Sequence, residues 1–324
     1  MATPKSTSTQ RGSVHVSAEP RSVLPDDFPI ERVVQTITDW FDRYSRDLPW
    51  RGPGVTAYEV MVCEVMSQQT PISRVIPKWR AWIEKWPTVA ELADAHTSEV
   101  LSLWRGLGYP RRALHLQQAA QMIIESYEGV VPADPTVLIT LPGIGKYTAG
   151  AVAAFAYGVR TPVIDTNVRR VLARLLGGTA LPGSATRRID HDRALALLPD
   201  ESSEAARWSA AVMEFGSLIC TSRNPACDQC PVYSHCVWRL KGSPKGAEGP
   251  RPQQRWEGTN RQLRGRVMAL LCDSRDAGNT CVSKEAALKV ALDRDGDSSR
   301  AESILNSLKK DGLIQVTEES VTLP

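Results

Sequence analysis

The sequence predicts an all-α fold followed by a small α+β unit of winged-helix type. Three observations lead there. Apolar residues recur at three-to-four-residue spacing from about Phe28 to Arg239, with no convincing alternating strand. A Gly/Pro-rich stretch then interrupts the pattern, and beyond it three helical segments precede a short hairpin. Within the helical part, Leu141-Pro142-Gly143-Ile144-Gly145-Lys146-Tyr147-Thr148-Ala149-Gly150 lies between two helices, the signature of a helix-hairpin-helix.

From the N-terminus, residues 1–27 are rich in Ser, Thr and Arg and lack the apolar stretch of a secretory signal, so they read as a disordered tail. Val33, Val34, Ile37, Trp40, Phe41 and Tyr44 mark the first helix. Further helices are expected at 57–70, 72–86, 98–104, 111–127, 146–157, 167–177, 189–198 and 205–219, which makes 28–240 the core. Residues 241–259, KGSPKGAEGPRPQQRWEGT, are dense in Gly, Pro and charge and read as a linker. The second unit, 260–324, reads as helices at 260–272, 284–292 and 299–310, then strands at 313–316 and 320–324 turned around Glu318 and Glu319. Ser299 supplies a cap signal and Asp311-Gly312 a stop.

Composition sets bounds. A chain of 324 residues exceeds the usual size of one domain, and 42% hydrophobic with 23% charged residues is ordinary for a globular protein. A formal charge of +3 neither announces nor excludes a nucleic-acid partner, because distribution matters more than the sum. No apolar run approaches the length of a membrane span, and the expectation is a cytoplasmic protein. Of seven cysteines, four crowd together as Cys220, Cys227, Cys230 and Cys236. An odd count without an export signal argues against a disulfide framework and for ligation. Structural zinc and a [4Fe–4S] cluster both accept four thiolates, and a single tight Cys-x2-Cys hook between two longer intervals fits the compact cube better.

The hairpin and two acids carry the chemistry. Gly143 and Gly145 let the backbone approach a phosphate oxygen, Ile144 plugs the hairpin into the core, and the following helix offers free N–H groups, with Lys146 facing the phosphate. Such a contact holds a duplex without reading its sequence. Glu64 is a lone acid in the run Val60-Met61-Val62-Cys63-Glu64-Val65-Met66, where burial raises a carboxyl towards a general acid's pKa. Asp165 precedes an apolar-periodic helix, where amide donors favour the ionised form and an anion can stabilise a cationic sugar. An ordinary N-cap is compatible with that role.

The motifs LPWR at 48–51, CEVMSQQT at 63–70, VIPKW at 75–79, GLGY at 106–109, LPGIGKYTAG at 141–150 and VIDTNVRRVLAR at 163–174 precede the four cysteines in order. In this the chain resembles the adenine DNA glycosylases of the MutY type, within the endonuclease III-like superfamily, from about Phe28 to Trp238. The resemblance implies a helix-hairpin-helix glycosylase core with a [4Fe–4S] cluster on the four cysteines. It further implies a monomer acting on double-stranded DNA, near the nucleoid, at adenine mispaired with 8-oxoguanine or guanine. It makes Glu64 the acid that protonates adenine at N7 and Asp165 the stabiliser of the sugar intermediate, with Tyr147 and Asn167 orienting the pair. Trp50 and Arg51 line the pocket for the flipped base, and Gln68, Gln69 and Tyr109 stand beside or within the duplex at the lesion.

Tyr147 stands where strand-cleaving relatives carry a Schiff-base Lys, so a monofunctional enzyme is expected. Tyrosine also occurs there in thymine-mismatch glycosylases, which makes T:G repair the alternative. Departures from the family pattern are Ser67 before the Gln pair, Pro110 after GLGY, and Ala210 where the family places a Gln or Glu against adenine. The tail is too short for the Nudix-like domain that many relatives carry.

Overall fold

In the computed structural model, residues 23–245, 256–292 and 296–324 are described. Most of the expected tail, 1–22, and the centre of the expected linker, 246–255, lie outside them. The helices run α1 Ile30–Tyr44, α2 Ala57–Ser67, α3 Ile72–Lys85, α4 Val89–Asp94, α5 Thr97–Trp104, α6 Arg111–Tyr127, α7 Pro135–Leu138, α8 Lys146–Tyr157, α9 Thr166–Leu175, α10 Arg188–Ala196, α11 Ser202–Leu218 and α12 Val237–Leu240. The C-terminal unit follows as α13 Asn260–Asp276, β1 Val282–Ser283, α14 Lys284–Ala291, α15 Ser298–Lys310, β2 Gln315–Val316 and β3 Ser320–Thr322. Its strands form an antiparallel sheet in the order β1-β3-β2, with Val321 opposite both Val282 and Val316.

The core divides in two. One apolar cluster unites α2 to α8, centred on Met61, Met66, Trp82, Trp104 and Leu116, and continues without a break into Leu263, Val267, Ile304, Leu305 and Val321 of the C-terminal unit. The other unites α1 with α9 to α11 around Ile37, Trp40, Leu172, Trp208 and Phe215. Small side chains of α8, Ala151 and Ala154, pack against Val163 between them. The Ala-rich helix read from the sequence thus runs along the seam between two lobes, where Ala permits close approach.

Local differences from the expected elements have physical causes. Helix α2 stops at Ser67, and Gln68-Gln69-Thr70 forms a turn with Gln69 at φ 54°. Helices α4 and α7 and strand β1 are six, four and two residues long, too short to establish a period. A Thr88/Glu91 capping box nevertheless announces α4. Helix α15 is capped by Asp297, whose side chain accepts from Arg300 N at 3.1 Å, so Ser299 lies inside the helix instead of capping it.

Candidate active site

Glu64 and Asp165 come from opposite lobes and meet at the seam. Glu64 projects from α2 and is 8% exposed. Burial pushes its carboxyl up to about 7; a hydrogen bond from Tyr147 opposes this, the Asp165 charge adds to it, and Arg51 opposes it. Tyr147, on the first turn of α8, is held above its ordinary value by burial and by both acids. Its hydroxyl also lies 3.9 Å from Met213 Sδ of α11. Asp165 caps α9: Oδ1 accepts from Val168 N at 2.6 Å and Oδ2 from Asn167 Nδ2 at 2.7 Å. Burial raises the Asp165 carboxyl, while those donors and Arg170 pull it back down. The net direction is therefore upward, where the cap alone would hold it down.

Asn167 is itself held. Its Oδ1 accepts from Arg170 Nη2 at 2.8 Å, and the same guanidinium donates to Gly216 O at 2.6 Å and, through Nε, to Cys220 O at 2.8 Å. A Cβ on Gly216 would lie 2.8 Å from Asn167 Cβ, so glycine is what lets α11 approach the start of α9 this closely. One turn on, Arg174 donates to Cys220 Sγ at 3.3 Å and Thr221 O at 2.7 Å. The cysteine loop is therefore tied to the helix whose first turn presents Asp165.

Cys227 and Cys230 flank a tight 3-10 turn and Cys236 caps α12. None of the four is in a disulfide. Burial raises the Cys230 thiol to about 12; backbone hydrogen bonding opposes this and the charges of Cys220, Cys236 and Cys227 add to it, so the four face one another. Among the described residues no three His, Cys, Asp or Glu side chains converge at single-ion distance. Four thiols grouped on one short loop supply the donor set that a [4Fe–4S] cluster takes.

Glu214 of α11 is 2% exposed and accepts from Arg46 Nε at 2.7 Å, Arg46 Nη2 at 2.8 Å and Arg51 Nη2 at 3.1 Å. Burial alone would raise this carboxyl, but Arg46 and Arg51 outweigh it and hold the group at about 2. Arg51 is thereby fixed between Glu214 and the Phe41 ring, 5.1 Å from its centroid. Trp50 packs edge-on against Trp79 at 5.8 Å, so part of its surface belongs to the core. Ala210 is partly buried on the same helix as Glu214.

Two exposed turns stand beside the seam. Gln69 and Tyr109 both adopt positive φ, 54° and 47°. Gln68 donates to Thr148 Oγ1 on α8 at 3.2 Å. Arg112 joins the turns: Nη1 donates to Val65 O at 2.8 Å and Gln68 O at 2.7 Å, and Nη2 to Leu107 O and Gly108 O at 3.0 Å each. Burial lowers this guanidinium to about 10. Further along, Gly143 and Gly145 are exposed, Ile144 is buried, and Lys146 opens α8 towards solvent. Gly143 sits at φ 76°, and a Cβ there would lie 2.7 Å from His115 Cβ.

The sequence reading brought together Glu64, Asp165, Tyr147 and Asn167 but passed over Glu214, Arg112, Arg170 and Arg174. Glu214 carried the signal that singled out Glu64, an acid in an apolar helix, Ala-Ala-Val-Met-Glu-Phe-Gly. Arg170 and Arg174 stand one turn apart on the apolar side of α9, which marks them as paired inside. Arg112 carried no signal, since its partners are mostly backbone carbonyls, those of α2 and its closing turn lying more than forty residues away.

Comparison with known proteins agrees with this architecture. Residues 62–189 match the HhH-GPD superfamily of base excision DNA repair proteins, and residues 220–236 match the iron-sulfur binding domain of endonuclease III, whose cluster is the cofactor. A thermostable thymine-DNA glycosylase superposes with a TM-score of 0.59 at 26% identity, covering 65% of this chain and 97% of that one. Endonuclease III in a non-covalent DNA complex gives a TM-score of 0.56 at 26% identity, covering 66% and 96%. The adenine DNA glycosylase of Mycolicibacterium smegmatis is 47% identical over 283 residues, which span 87% of this chain and 92% of the relative. The chain belongs to the adenine DNA glycosylase family.

Proposed function

We propose that the chain is a monofunctional glycosylase that binds double-stranded DNA and hydrolyses the N-glycosidic bond of adenine mispaired with 8-oxoguanine or guanine. The observation that carries this reading is the meeting of Glu64 and Asp165 around Tyr147, with the Glu64 carboxyl at about 7. A carboxyl with that pKa is about half protonated at neutral pH and can give its proton to adenine N7, which turns the base into a leaving group. Asp165, fixed by Val168 and Asn167, faces the positive charge that develops on the sugar as the bond breaks. Tyr147 offers no amine for a Schiff base, so water completes hydrolysis and the strand stays intact.

The other residues receive roles from where they stand. The base leaves the stack for a pocket lined by Trp50 and Arg51, the latter oriented by Glu214. Gln68, Gln69 and Tyr109 occupy the space beside the orphaned base, and Gly143, Gly145 and Lys146 hold a phosphate. Cys220, Cys227, Cys230 and Cys236 ligate the [4Fe–4S] cluster, which when bound cross-links the loop through iron–thiolate bonds.

The test presents end-labelled duplexes bearing A:8-oxoguanine, A:G, T:G or thymine glycol, with and without alkali. Adenine release with strand cleavage dependent on alkali is expected. Thymine release from T:G without adenine release would overturn the substrate, and cleavage without alkali the monofunctional mechanism.

A further inference from the structure

The C-terminal unit is docked, not tethered. Its α13 and α15 share the core of the α2–α8 lobe, and polar contacts reinforce the seam: Arg105 to Asp273, Arg275 Nη2 to Glu99 Oε1 at 2.9 Å, and Arg111 Nη1 to Asp311 Oδ1 at 3.3 Å. The docking brings α13 against the Tyr109 turn. Arg261 Nη1 donates to the Tyr109 hydroxyl at 2.9 Å, and the guanidinium carbon lies 5.8 Å from the Tyr109 ring centroid and 4.9 Å from that of Trp256. Tyr109 is 44% exposed and Trp256 51% exposed. Trp256 is fixed in the turn before α13, its carbonyl accepting from Thr259 Oγ1 at 2.8 Å.

An exposed aromatic–guanidinium–aromatic stack is an uncommon way to finish a surface facing water alone. It combines π-faces on which bases and sugars pack with a cation that keeps free N–H donors for phosphate. By contrast, the β2–β3 turn, the wing of such a topology, presents Glu318 and Glu319 to solvent, while α15 presents Glu302 together with Lys309 and Lys310. The carboxylates of the wing repel a phosphate backbone. The electrostatics therefore favour the start of α13 over the wing as the nucleic-acid contact.

We propose that the C-terminal unit completes the DNA-binding face of this glycosylase through Trp256 and Arg261, which extend the Tyr109 turn. Arg261 contacts a phosphate and holds the Tyr109 ring in place, while Trp256 packs on the adjoining nucleotide. This rests on the placement of Tyr109 against the duplex proposed above.

The test uses the full chain and a fluorescently labelled duplex with one A:8-oxoguanine pair, titrated over a range of salt. Arg261→Ala is expected to weaken binding roughly tenfold and to reduce the salt slope by about one. Trp256→Ala is expected to weaken binding with the slope unchanged. A photo-reactive phenylalanine analogue replacing Trp256 is expected to cross-link to the DNA. Tyr109→Ser separates the two readings: if it weakens binding while Arg261→Ala and Trp256→Ala do not and no cross-link forms, the proposal is overturned and the Tyr109 role stands. If none of the three variants changes binding, both are overturned. Arg261 and Trp256 are surface residues, so unchanged thermal unfolding is the control that assigns the loss to contact with DNA.

Discussion

Under the proposed function Glu64 gives the proton, and its environment makes the reaction sensitive to pH. The protonated form is the acid, so single-turnover adenine release is expected to decline as pH rises through about 7. Glu64→Gln keeps the shape but has no proton to give, and a loss of about 10²–10⁴ in that rate is expected. Stability falls in the same direction. The folded pKa stands above the unfolded value, so the folded state binds the extra proton and this stabilisation fades as pH rises from about 4.5 to about 7. Glu64→Gln is therefore expected to be more stable than the parent at pH 8 by roughly 3 kcal/mol relative to the difference at pH 4, measured by denaturant unfolding. An equal difference at both pH values would show that Glu64 is not the buried, raised acid described. Glu64 and Asp165 were legible because a lone acid in an apolar run and an acid before a helix stand out locally. The upward direction of Asp165 was not, because it depends on burial by the opposite lobe.

At the scale of elements, the site depends on how helix ends are pinned to one another. Arg112 at the start of α6 ties the last turn of α2 to the Leu107–Gly108 turn. Arg112→Met leaves those carbonyls without their donor inside the protein, and a loss of roughly 2–4 kcal/mol in unfolding free energy is expected, with weaker DNA binding as both turns loosen. Unchanged stability would show that water replaces the guanidinium at no cost. Gly216 tests the α9–α11 approach. Gly216→Ala sets a methyl against Asn167, so slower adenine release at saturating enzyme is expected while affinity for the duplex is kept. Equal loss of both would mean that the lobe has shifted as a whole. The long helices could be read from their periods, but the end of α2 at Ser67 could not, because Arg112 captures Gln68 O from another element.

At the scale of the molecule, the C-terminal unit and the α2–α8 lobe share one apolar core. A single cooperative transition for these two parts is expected in calorimetry. Leu305→Ala, in α15, is expected to lower that common transition through a loss of roughly 2–5 kcal/mol. A separate early transition that alone responds to the substitution would show that the C-terminal unit folds independently. The same docking places Arg261 beside Tyr109, so the unit that follows the Gly/Pro-rich stretch stands next to the catalytic part's exposed turns.

The sequence by itself determined the helical class, the glycine hairpin between two helices, the grouped thiols and the two acids. Each is a local pattern whose physics, whether periodicity, turn conformation, ligand spacing or an acid among apolar neighbours, is complete within a few residues. Tertiary structure alone decided that Glu64 and Asp165 face each other across two lobes, that Glu214 holds Arg51, and that Arg112 and Arg261 grip the turns beside the site. The long-range links among them join residues from about 40 to about 160 positions apart. They depend on which surfaces exclude water together, and no local spacing encodes that.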